Sequence, residues 1–138
     1  MNKQTNTAIL PLTGRILMAA IFVLSGINKI ANPAGTIGYI KAMGLPFPEL
    51  GLALAIGIEV VGGLLLVAGL YTRPVALALA AFSIATGLIF HSAIADQNQM
   101  IHLMKNFAMA GGLLQIAAFG AGSLSLDARR GAAALRTA

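Results

Sequence analysis

The sequence predicts an all-α protein: an integral membrane four-helix bundle with both termini cytoplasmic and a short interfacial helix in the first outer loop. Three observations carry this reading. Hydrophobic residues make up 58% of the chain and charged residues 9%, against about 25% charged in a soluble domain. The apolar residues gather in four segments, 11–30, 49–69, 74–90 and 103–119, of about the length that crosses a bilayer. In three of these the polar and small residues recur at helical steps of three and four, along single faces. With a mean hydropathy of +0.87, the 138 residues read as a single membrane domain, 1–138.

The first segment, PLTGRILMAAIFVLSGINKI, has a short apolar core that raises the alternative of a cleaved signal peptide. No small-x-small cleavage site follows it and three more apolar segments do, which favours a span. Arg15, Met18, Phe22, Ser25 and Lys29 share one face, so that face is expected to meet other helices. The competing reading is that both cations snorkel to the headgroups. Next, Asn32-Pro33 stops the helix, and Pro33 to Met43 suits a short interfacial helix with Tyr39 and Lys41 at headgroup level. This connection is either a lid over one mouth of the bundle or a plain hairpin.

The second segment, ELGLALAIGIEVVGGLLLVAG, carries one carboxylate, Glu59, near its middle. A lone ionised group at that depth costs about 2.5–3.5 kcal/mol on insertion scales, so Glu59 is expected to face inward and to have a partner. Ala55, Gly62, Gly63 and Leu66 share its stripe, small enough for a neighbouring helix to come close. Tyr71-Thr72-Arg73-Pro74 makes a turn into the third span, which holds Ser83 and Thr86 and ends at His91. Residues 92–102 read as an outer loop. In the fourth span Lys105, Ala108, Gly112 and Gln115 form the expected inner face. The tail, 120–138, with Asp127, Arg129, Arg130 and Arg136, reads as a solvated cytoplasmic end.

Orientation follows from the cations. Lys3, Arg15, Arg73, Arg129, Arg130 and Arg136 lie on the side of the termini, and Lys29, Lys41 and Lys105 on the other. Glu59 lies ~15 Å below the outer end of its helix, within reach of Lys29 or Lys105 from outside and of Arg15 from the cytoplasmic side. The planar guanidinium is the better buried partner for a carboxylate, which favours Arg15. Ser25, Asn28, Lys29, His91, Lys105 and Asn106 then form an outer cluster. The candidate polar intramembrane site is thus Arg15, Ser25, Asn28, Lys29, Glu59, His91, Lys105 and Asn106, with no one of them singled out as catalytic.

Several classes are excluded. The chain has no cysteine, hence no thiol relay or thiolate-bound cluster. Its net charge of +5 is scattered over helix ends, without the patch a nucleic-acid partner needs. His91 and His102 both belong to the outer surface, so a bis-His haem is not expected, nor is any metal. No flavin fingerprint or phosphate loop is present. The chain itself is expected to hold no cofactor.

The order Arg15, Ser25-Gly26-x-x-Lys29, Glu59-x-x-Gly62-Gly63, Gly69-x-x-x-Arg73-Pro74, Lys105-Asn106 and Leu124-Ser125-Leu126-Asp127 resembles the DoxX family of small four-helix bacterial membrane proteins, over roughly 12–127. The resemblance implies a multi-pass protein of the bacterial inner membrane. It also implies a link to thiosulfate:quinone oxidoreduction, to quinone or catechol stress, or to redox enzymes at the membrane, with quinone as a substrate. Three functions fit: a quinone- or thiosulfate-linked site in the outer half of the bundle, a scaffold that anchors a redox enzyme, and a small proton-coupled transporter. The last is weakest, because broken helices and inverted repeats are absent. The expected partners are the lipid bilayer, a soluble or membrane redox enzyme and, as an open option, a second copy of the chain.

Overall fold

A computed structural model describes residues 3–134, with side chains for 8–133. Arg136 and the Lys3 side chain, both counted in the orientation argument, lie outside this range. Every regular element among the described residues is helical: α1 Lys3–Ala31, α2 Pro33–Ala42, α3 Pro48–Ala68, α4 Thr72–Phe90, α5 Gln97–Phe119 and α6 Leu126–Ala134. Of these, α1, α3 and α4 contain stretches long and apolar enough to cross a membrane. Helix α5 is as long but carries His102, Lys105, Asn106 and Gln115.

The four long helices run up and down. Small residues decide how close they come. A Cβ at Gly63 of α3 would fall on Val23 of α1 and 3.4 Å from the Ala19 carbonyl oxygen, and one at Gly87 of α4 would come within 2.9 Å of Asn106 Cβ on α5. Between them lies an apolar core of Ala19, Phe22, Leu66, Ala76, Leu79, Ala80, Ala110 and Leu113. The α4–α5 side is the most closely packed and the α1–α5 side the most open.

Four expectations need correction. Helix α1 is helical from Lys3 and runs through Pro11, rather than beginning at residue 11. Helix α5 starts at Gln97, six residues before the expected span. Asp96 stops the loop there by accepting a hydrogen bond from the Gln99 amide at 2.9 Å, an N-cap that frees the polar turn after it to be helical. The inward stripe of α5 is Leu103, Asn106, Ala110 and Leu113. The expected stripe is displaced outward: Lys105, Ala108 and Gln115 are exposed and Gly112 only half-buried. Finally, the tail is not a free solvated end. It carries α6, and Ser125 is buried.

The short helix expected in the first outer connection is present as α2. Asn32 caps it through a bond from the Gly35 amide, with Pro33 in the first turn, a position that suits proline.

Candidate functional site

Glu59 sits inside α3 where the helix widens to a π-turn, Gly57–Val61. Such single π-turns concentrate at functional positions because they re-aim one side chain without breaking the helix. Here the side chain is buried, with Glu59 5% exposed, and both carboxylate oxygens lie 2.9 Å from Lys29 Nζ. Ser25 completes the group: Lys29 Nζ donates to its Oγ at 2.8 Å, and that hydroxyl donates to Glu59 Oε1 at 3.2 Å. Gly26 makes this possible, since a Cβ there would collide with Val60 and sit 3.3 Å from Glu59 Cβ. Any larger residue would push α1 away from the carboxylate.

The expected Arg15 partnership is therefore wrong. In a helix every Cα–Cβ bond leans towards the N-terminus. Lys29, near the outer end of α1, leans inward. Glu59, on the antiparallel α3, leans outward to meet it. Arg15 leans towards the cytoplasmic end, away from Glu59. There its guanidinium donates to Leu66 O at 3.0 Å and Val67 O at 2.9 Å, and to Leu124 O in the tail. Those two α3 carbonyls belong to the helix's last turn, where intrahelical donors run out; Leu66 O also accepts from the Gly69 amide at 3.2 Å. Arg15 is 1% exposed and fastens the bundle end; it is not part of the site.

The remaining candidates do converge. A pocket of about 1040 Å³ opens in the outer half of the bundle, and Ser25, Asn28, Lys29, Glu59, His91, Lys105 and Asn106 all line it. Lys105 also leans outward along α5, so its Nζ lies 3.0 Å from His102 Nδ1 rather than on Glu59. Asn106 Nδ2 donates to His102 O at 3.0 Å. The two histidines, placed by the sequence at the outer surface, stack at the mouth with ring centroids 4.9 Å apart, and His91 Nδ1 is 2.8 Å from Gln99 Oε1. Among the described residues no group of three metal-ligating side chains occurs. The rest of the wall is largely apolar: Phe22, Ile40, Phe82, Phe90 and Met109 contribute to it.

Residues 10–92 match the DoxX family. The chain belongs to the DoxX family. It is accordingly a multi-pass inner-membrane protein, similar to two from Escherichia coli K12. Inner membrane protein YqjF is 40% identical over 116 residues, covering 84% of this chain and 88% of that one. Inner membrane protein YphA is 34% identical over 126 residues, covering 88% and 90%. No solved structure matches the chain.

Sequence reasoning missed part of this DoxX pocket. Tyr39 on α2 donates to Phe90 O at 2.9 Å and its ring lies 5.2 Å from that of Phe90, which holds α2 across the outer mouth. Gln99, hidden in the supposed loop, orients His91. Ser83 and Thr86 of α4 line the pocket while returning their hydroxyls to Leu79 O and Phe82 O. An aromatic in an interfacial turn was the one readable sign of the Tyr39 contact.

Proposed function

We propose that this DoxX-family protein binds a quinone in the outer-half pocket as the membrane component of a redox system, with a partner enzyme supplying or taking the electrons. The observation that carries this is a closed ion pair, Lys29–Glu59, set in the wall of a roomy and mostly apolar pocket. A ring fits between Phe22, Phe82, Phe90 and Met109 by apolar burial. Its carbonyl oxygens need donors, and Lys105 and Asn106 provide them at the wall. Glu59 and Lys29 stand beside that ring as a carboxylate and an ammonium able to take up or release a proton when the ring is reduced or oxidised. A small dianion such as thiosulfate is less well served, because Glu59 already cancels the charge of Lys29.

A second reading has its own support. Lys29 Nζ is fully used by Ser25 and the two Glu59 oxygens, as expected of a pair that only holds α1 against α3. Titration of purified protein with a tailless benzoquinone separates the two. The ligand reading expects saturable binding, weakened at least ~10-fold by Lys105→Met with Asn106→Leu, since each lost donor bond to a buried acceptor costs about 1 kcal/mol or more. Absence of binding to the wild-type protein by this ring and by its isoprenoid-tailed form alike, with folding intact, leaves the scaffold reading.

A further inference from the structure

Helices α1 and α5 touch in their inner halves, where Met18 Cε occupies the space a Cβ at Gly112 would need. Above that contact they part. Ile21, Ser25 and Asn28 of α1 and Lys105 and Met109 of α5 become opposite walls of the pocket. The gap reaches the outer surface of the bundle at mid-depth. Ile21 lines it and is also 36% exposed, in the same exposed apolar band of α1 as Leu17 and Leu24. On the other lip, Lys105 is exposed and lines the same pocket. On the face of α5 that runs down from it, Ala108 and Gln115 are exposed and Gly112, under Met18, is half-buried. Helix α2 lies over the outer mouth, latched to the end of α4 by the Tyr39 hydroxyl and ring.

From this geometry we infer that the pocket is loaded sideways from the bilayer through the α1–α5 gap, and that its ligand is an amphiphile: a polar ring inside and an apolar tail lying out over Ile21. This rests on the quinone reading of the same pocket and narrows it to quinones carrying a long hydrocarbon tail. The chemistry agrees at both ends of the gap. The buried Asn106 amide lies inside the pocket, where a ring carbonyl needs a donor; at the lip, Lys105 offers a second donor and Ile21 apolar surface continuous with the acyl chains. The tail then stays in hydrocarbon, so its burial costs no polar desolvation. A water-soluble substrate gains nothing from a gap at this depth.

The test uses full-length protein in nanodiscs and two probes with the same benzoquinone ring, one bearing an isoprenoid tail and the other a methyl group. Affinity for the tailed probe is expressed per mole of lipid. Ile21→Trp is expected to narrow the lip and lower the ratio of tailed to tailless affinity by about tenfold. Leu24→Trp, on the lipid face beyond the gap, is expected to leave the ratio unchanged. Ile21→Ala, which adds no bulk, guards against misfolding and is expected to keep the tailed probe bound. An unchanged ratio in Ile21→Trp while the tailless probe still binds overturns the lateral route and leaves the quinone reading standing. Failure of both probes on the wild-type protein removes the quinone reading, and this inference with it.

Discussion

Lys29 directs its ammonium to Ser25 Oγ and both oxygens of Glu59, so removing Lys29 leaves a buried carboxylate unpaired, whereas the Lys29 side chain is itself 23% exposed. Breaking a buried pair at one end typically costs about 3–5 kcal/mol, whereas replacing both partners with packed apolar groups is often neutral. Lys29→Met alone is therefore expected to lower thermal stability and folding yield by an amount in that range, and Glu59→Leu alone, which leaves a part-exposed ammonium, by less. The double variant is expected to regain most of the loss, as read by thermal unfolding in detergent. Under the quinone reading proposed above it is not expected to regain benzoquinone binding; recovery of both would assign the pair to packing. That Glu59 must be partnered was legible from its depth alone. Which cation partners it was not, because spacing along α1 puts Arg15 and Lys29 on one face and says nothing of tilt. The lean of Cα–Cβ bonds in antiparallel helices decides it, and that rule applies once helix directions are known.

The four long helices announce themselves by length and hydropathy, and α2 by Asn32-Pro33 and its interfacial aromatic. Less readable was the boundary of α5, since Gln97 to His102 is too polar to join an apolar segment and only the Asp96 cap marks the helix start. The π-turn around Glu59 had no signal at all: Gly57-Ile-Glu-Val-Val continues an α-helix equally well. Helix α2 packs chiefly on α3 and meets α4 through Tyr39. Its other link, Lys41 to Glu49 at 3.7 Å, joins two exposed side chains and contributes little. Tyr39→Phe keeps the ring contact with Phe90 and removes the hydroxyl bond, worth about 1 kcal/mol. The expected result is faster amide hydrogen exchange across 33–42 with α1, α3, α4 and α5 unchanged. Exchange rising equally in all helices would mean that Tyr39 supports the whole bundle and not α2 alone.

The molecule divides into an outer half that is hollow and an inner half that is fastened shut, and the fastening runs through the tail. Arg15 binds the carbonyl end of α3, while Asp127 accepts the first amides of α4, from Tyr71 at 2.9 Å and Thr72 at 2.8 Å. The Asp127 amide in turn donates to Gly69 O at 2.9 Å. Gly69 itself has a φ of +66°, and a side chain there would collide with Arg15 and Ser125, so the turn between α3 and α4 admits the tail only because it carries glycine. A tail residue thus supplies the N-cap that α4 lacks in its own sequence, with the negative charge that a helix N-terminus favours. Burial works against the charged form of Asp127, but the amides of Thr72 and Tyr71 and the nearby Arg130 outweigh it and hold the carboxyl below its ordinary 3.8. A carboxyl whose folded value is depressed stabilises the fold above the unfolded value and loses that contribution as pH falls through the folded one. Wild-type protein is therefore expected to lose thermal stability as pH drops below about 3.8, with the α3–α4 turn and tail loosening first. Asp127→Asn keeps one acceptor and removes the titrating charge. It is expected to cost about 1 kcal/mol at neutral pH and to flatten this acid limb, in melting curves recorded from pH 7 to pH 3. An acid limb of unchanged steepness in Asp127→Asn would show that the tail is held by Arg15 and Leu124 alone, and that α4 begins without help from it.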